Sequence, residues 1–329
     1  MPEKRIVIIN GYAYPSISPE VLEAWLPYLT NIYNFSYGVN GDGTLTDLSD
    51  YRLNTAAEES QTGAVMVLTP FNELGQFSSE IAEQVINSPQ ARQNLIEGIL
   101  ATLIDKNMSG VDFDFEYIEK ENRDLYVTLV QETAERLRPY GFTTTVALAP
   151  KTSADQQGLL YSGHDYAGMG RVADYVLLMT YEWGYTFGPP MAVAPINKVR
   201  EVLKYGLTEI PSDKILMGIP NYGYDWTLPF VKGESMARKI TIDDGSAIAE
   251  SYGAEVLYDE EAQAPYFFYT DEDGREHIVW FENQQSLTAK LSLIEEYDLA
   301  GAAYWNIMSY YEGNSIALSQ QYEINKNIF

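Results

Sequence analysis

Apolar runs recur along the chain at 5–10, 31–37, 63–69, 110–115, 143–149, 173–180, 214–219 and 300–305, at intervals suited to strand–helix units. Helix starts fall between them. Ser18-Pro19-Glu20 precedes an apolar-periodic segment, Ser78-Ser-Glu80 another, and Ser88-Pro89 opens an amphipathic stretch reaching residue 105. Segments 122–137 and 195–205 also read as helices. Eight such units predict an α/β fold, a closed (β/α)8 TIM barrel whose functional residues gather at the carboxyl ends of the strands. The spacing breaks once, before the last run. There 241–252 reads as a helix and 255–258, 266–270 and 277–281 as strands, the last two joined across Asp271-Glu-Asp-Gly274. The expected division is therefore a barrel of residues 1–224 and 282–329 with an α+β insertion subdomain at 225–281, between strands 7 and 8. The acidic turn lacks the remaining ligand spacing of a calcium loop and reads as a hairpin.

One run combines two textures. In Met108-Ser-Gly-Val-Asp-Phe-Asp-Phe-Glu-Tyr117, a period of two sends Asp112, Asp114 and Glu116 to one face and Val111, Phe113, Phe115 and Tyr117 to the other. Neighbouring carboxylates on such a ridge stand about 6–7 Å apart, close enough to perturb one another's protonation. A solvated edge strand would also look like this. The helical patterns on both sides instead place the strand in a parallel sheet covered on both faces, so the acids face the barrel interior and suit acid/base work. Further side chains fall at strand ends: Gly11-Tyr12, Phe35-Ser-Tyr37, Ala149-Pro-Lys151, Met179-Thr-Tyr-Glu-Trp183, Asn221-Tyr-Gly-Tyr-Asp-Trp226 and Tyr304-Trp-Asn306. Aromatic rings gathered at one rim beside carboxylates describe a cleft that stacks sugar rings.

Bulk properties narrow the ligand. The net charge is −26, from 47 acidic and 21 basic residues, so nucleic acid and anionic membrane surfaces are expected to be repelled. With no cysteine, disulfides and thiolate chemistry are excluded. The 2 histidines, His164 and His277, leave little material for a histidine-rich metal site, and His164 reads as a structural loop residue. Only four apolar residues in a row precede Asn10, too few for a signal-peptide core, and no later stretch is long enough to span a bilayer. A soluble chain is expected.

Gly110-Val-Asp-Phe-Asp-Phe-Glu116 resembles the D-x-x-D-x-D-x-E strand of glycoside hydrolase family 18. Met179-Thr-Tyr-Glu182 resembles that family's sixth-strand motif, Trp305 its eighth-strand tryptophan, and the insertion its chitinase-type subdomain. Pro150-Lys151, Gly158-Leu-Leu-Tyr161, residues 188–195, Tyr222-Gly-Tyr-Asp-Trp226 and Ala264-Pro-Tyr266 are most similar to its spore cortex-lytic N-acetylglucosaminidase branch. Two positions depart from the pattern: Ser109 stands at the first acid of the signature, and Glu182 where chitinases more often have Asp. The LysM modules common in that branch are not among these 329 residues.

The resemblance implies a retaining, substrate-assisted hydrolysis of β-1,4 bonds following N-acetylglucosamine, with no metal or organic cofactor. Glu116 would be the acid and base, Asp114 the partner of the acetamido N–H, Asp112 a proton-sharing neighbour behind it, and Tyr181 a donor to the acetamido oxygen. Trp305 would floor the reacting sugar, with Tyr12, Tyr37, Met179, Glu182, Asn221, Tyr222 and Asp225 as further substrate contacts. The expected partner is an oligosaccharide or polymer containing N-acetylglucosamine, in peptidoglycan or cortex fragments, acted on by a monomer. Chitin or other glycans are the alternative substrates, and a silent glycan-binding barrel the non-enzymatic one.

Overall fold

The computed structural model describes residues 4–326. Its strands are β1 (Arg5–Ala13), β2 (Asn31–Val39), a two-residue β3 (Leu45–Thr46), β4 (Gly63–Thr69), β5 (Gly110–Phe113), β6 (Thr143–Leu148), β7 (Tyr175–Leu178) and β8 (Ile215–Pro220). There follow β9 (Gly223–Thr227), β10 (Arg238–Ile240), β11 (Leu257–Asp259), β12 (Ala264–Thr270), β13 (Glu276–Trp280), β14 (Gly301–Trp305) and β15 (Tyr322–Ile324). Strands β1, β2, β4, β5, β6, β7, β8 and β14 pair in parallel in that order, and β14 closes back onto β1. This is the closed eight-stranded barrel that the periodic runs predict. β5 lies between β4 and β6, so its acids do not belong to an edge strand.

The helices around it start where the sequence marks them. Ser18, Ser78 and Ser88 accept from backbone N–H groups at the starts of α1 (Pro19–Trp25), α3 (Ser79–Asn87) and α4 (Pro89–Asp105), while α2 (Tyr51–Glu59) fills the step between β3 and β4. Farther along come α5 (Arg123–Leu137), α6 (Tyr166–Val172), α7 (Ile196–Glu209), α8 (Ile242–Tyr252), α9 (Gln284–Glu296) and α10 (Glu312–Gln321). All seven residues of β4 are buried, as a parallel strand covered on both faces requires. Val65 and Val67 face a small inner cluster with Tyr12, Tyr33 and Phe35, whereas Ala64, Met66 and Leu68 join the main core between barrel and helices.

Between β8 and β14 lies a five-stranded antiparallel sheet of order β10-β9-β13-β12-β11, with α8 packed on β12. Two of its strands, β9 and β10, were not apparent from periodicity, because Gly223–Thr227 carries aromatic residues that read equally well as a binding loop. The Asp271–Gly274 turn closes the β12–β13 hairpin, with Gly274 at φ 77° donating to the Asp271 carbonyl. Phe267, Val279 and Trp226 belong to the same continuous apolar cluster as the barrel core.

Candidate active site

The site begins at the end of β5. Strand pairing stops at Phe113, yet the alternation continues for three more residues because the backbone is held from two sides. Asp114 N–H donates to the Leu68 carbonyl at 3.0 Å. On the other side, Ala149 N–H donates to His164 Nδ1 at 2.8 Å, so Nε2 carries the ring proton and donates to the Phe115 carbonyl at 2.9 Å. Burial pushes His164 down to about 4, which keeps this buried ring neutral. The alternation ends at Tyr117. That residue has φ 57° and is 38% exposed, so it turns onto the cleft rim instead of packing under the helices with Phe113 and Phe115.

Above β5 a cleft of about 770 Å³ is lined by Asp114, Glu116, Tyr181, Glu182, Met179, Tyr12 and Trp305. A side chamber of about 350 Å³ shares Glu116, Met179, Tyr181 and Glu182. Asp112 is fully buried beneath, its Oδ2 accepting from Tyr12 Oη at 2.7 Å. Its other oxygen has no hydrogen-bond partner, nor has Asp114 Oδ1, so no hydrogen bond joins the two acids through these atoms. Burial raises Asp112 to about 7, opposed by the Tyr12 bond. Burial, and then the nearby Glu182 charge, raises Glu116 to about 7. Asp114 is also raised, first by burial and then by Glu116 and Asp112. Three carboxyl groups from β5 and the three residues that follow it are thus all raised above the ordinary carboxylate range.

The rest of the rim comes from other strands. The Tyr181 ring passes close over Gly218, where an added Cβ would meet its Cε1 at 2.6 Å. Trp305 packs edge-on against Phe35 (4.9 Å between ring centroids) and Tyr12 (5.5 Å). Glu182, at φ 67°, has Oε1 held by Tyr222 Oη at 2.5 Å and Tyr224 Oη at 2.9 Å. Tyr222 therefore stands behind a cleft residue and does not line the cleft.

Three other candidates lie elsewhere. Tyr37 points away from the cleft, donating to Asp50 at 2.5 Å and accepting from Lys106 at 2.9 Å. The cause is a register shift between Asn34 and Tyr37 where β2 pairs with β4, which reverses facing so that Phe35 takes the inner position and Tyr37 the outer. Asn221 is a buried tie whose Nδ2 donates to the carbonyls of Asn306 and Ser309. Asp225 sits in the insertion sheet, bound by Arg238, Tyr269 and His277. Ser109 is remote as well. It lines a groove of about 1220 Å³ at the amino ends of the strands, among Asp50, Lys106 and Phe142.

The cleft also has walls that motif reading did not single out. Phe71, Phe77 and Tyr117 form an edge-to-face series continuing from Phe35, and Tyr185 and Lys239 close the side nearest the insertion. Phe35 was legible as half of Phe35-Ser-Tyr37. Nothing local marks Lys239.

The Glycosyl hydrolases family 18 model matches residues 22–309. The cortical fragment-lytic enzyme of Bacillus subtilis is 40% identical over 332 residues, covering 99% of this chain and 77% of its own length. Among solved structures, the spore cortex-lytic enzyme SleL of Bacillus megaterium superimposes with a TM-score of 0.95 at 37% identity, covering 100% of this chain and 77% of that one. A chitinase from Chromobacterium violaceum superimposes at 0.88 with 25% identity, covering 96% and 98%. A family match across most of the barrel, together with a relative this similar along nearly the whole chain, places the protein in glycosyl hydrolase family 18 as a glycoside hydrolase.

Proposed function

We propose that this enzyme hydrolyses β-1,4 bonds following N-acetylglucosamine in peptidoglycan or spore-cortex fragments, with retention and with the substrate's own 2-acetamido group as nucleophile. The observation that carries the reading is the placement of Asp114 and Glu116 in an aromatic-walled cleft with Asp112 buried beneath them. Glu116, raised to about 7 and open to the cleft, can give a proton to the glycosidic oxygen and take one back from water. Asp114 would accept from the acetamido N–H and stabilise the positive charge that develops on the ring, and Tyr181 would donate to the acetamido oxygen. Asp112, below them with Tyr12, would supply a proton to the acid ladder. Trp305 and Phe35 would form the floor beneath the reacting sugar. Met179, Tyr12 and Glu182 would complete the pocket, and an insertion of residues 225–281 would wall one side.

A monomeric enzyme is part of the same proposal. The cortex substrate is supported by relatives whose names carry that activity. Chitin is the second reading, favoured by the walled cleft and the likeness to a chitinase. Mass analysis of products from purified cortex fragments and from chitin oligomers separates them. Products ending in N-acetylglucosamine are expected from the fragments. Glu116→Gln should lower kcat by about 10²–10⁴-fold and Asp114→Ala by about 10²–10³-fold, with folding retained. Efficient cleavage of glycans bearing a free amine or hydroxyl at carbon 2 of the reacting sugar would overturn the mechanism.

A further inference from the structure

The cleft is lined by three carboxylates, Asp114, Glu116 and Glu182, and among the described lining residues by a single cation, Lys239. Lys239 reaches it from β10, in the insertion sheet, where it is register-paired with Tyr224. Its strand neighbour Arg238 is committed to Asp225 at 2.9 Å. Lys198, the cation of the side chamber, is likewise committed to Glu201 at 3.0 Å. Lys239 differs. Its Nζ lies 3.7 Å from the centroid of the Tyr222 ring and, among the described residues, has neither a hydrogen-bond acceptor nor an ion-pair partner. The same Tyr222 donates to Glu182, so the phenol fixes the carboxylate while its face carries the ammonium. The ammonium is thus left at the edge of the cleft without an acceptor of its own, with burial lowering its pKa and the nearby Glu182 charge acting the other way.

We propose that Lys239 is a specificity-determining residue whose ammonium binds a carboxylate carried by a sugar adjoining the scissile bond. The inference rests on the peptidoglycan reading above. In that polymer N-acetylglucosamine alternates with a sugar bearing a lactyl group, whose carboxylate is free wherever the peptide it carries in amide linkage has been removed, so that a neighbour of the reacting sugar then presents an anion. A chain of net charge −26 would otherwise repel such a glycan. A single cation without an ion-pair partner offsets this within the cleft, and neutral glycans gain nothing from it.

The test uses peptide-free peptidoglycan glycans with free lactyl carboxylates and the same glycans with those carboxylates amidated. For the wild-type enzyme, kcat/KM should favour the carboxylate form roughly five- to tenfold, the worth of one partly solvated charge-assisted contact. Lys239→Gln should bring that ratio to about one, through KM and not kcat, and Lys239→Arg should keep it. A wild-type ratio of one or below, or a ratio unchanged in Lys239→Gln, overturns the proposal. Calorimetric binding of the two glycan forms, compared in Glu116→Gln and in the Glu116→Gln, Lys239→Gln double variant, keeps the two claims apart. If the wild-type enzyme turns over neither form, the proposed reaction fails, and the carboxylate preference in binding still decides the role of Lys239.

Discussion

Glu116 must hold a proton when it meets the glycosidic oxygen, and burial lets it do so up to about pH 7. Initial rates at saturating substrate should therefore fall as pH rises through about 7, and a rate still climbing above that point would remove Glu116 from the acid role. Asp112 has a consequence for stability. Its carboxyl is raised from 3.8 to about 7 in the fold, so between those values the native state keeps a proton that the unfolded chain has released. Its contribution is complete below the lower value, is lost as pH rises through the upper one, and is then constant. Relative to Asp112→Asn, the wild-type protein should lose on the order of 4 kcal/mol across that window, read from urea melts at each pH. The β5 acids were legible at this scale because period two leaves no choice of face within a strand. Tyr37 was misread because a bulge two residues earlier reverses that parity, and a bulge depends on the partner strand.

At the scale of elements, the link from the insertion sheet back to the barrel runs through a buried ion pair. Glu282, just after β13, meets Lys290 of α9 at 2.9 Å with both side chains 1% exposed, and Ser286 donates to the same carboxylate oxygen at 2.5 Å. Burial raises Glu282, while Lys290 and Ser286 act the other way. Lys290→Met leaves a buried carboxylate without its counter-charge and should cost on the order of 3–5 kcal/mol in urea denaturation. Joining it to Glu282→Gln should recover a large part of the loss, because no charge is then stranded. Equal losses in the single and double variants would mean that packing of the lysine stem, not charge, holds the junction. Helix starts were read well because a Ser-Pro pair is a local capping signal, satisfied by the next turn of the same segment. Strands β9 and β10 escaped because an antiparallel strand in an inserted sheet is defined by its neighbours, here β13 on one side of β9 and β10 on the other.

Over the whole molecule the excess of acid is large, at −26, and the described ion pairs are mostly exposed. Self-repulsion of that size destabilises the compact state and is screened over a Debye length of about 10 Å at 0.1 M salt. The melting temperature should therefore rise by a few degrees between about 0.01 and 0.2 M sodium chloride, measured calorimetrically at pH 8. A fall over that range would show that specific pairs such as Lys106 with Asp50 outweigh the net charge. The barrel, its eight strands and the three acids on one ridge were determined by the sequence itself, because hydrophobic period, helix caps and strand parity act within a few residues of their cause. The raised protonation of those acids, the parity change at Tyr37, the support of Glu182 by Tyr222 and Tyr224, and the placing of an uncommitted Lys239 at the cleft were decided only by the tertiary structure. Desolvation, register and proximity are properties of segments brought together from far apart in the chain, and no local stretch carries them.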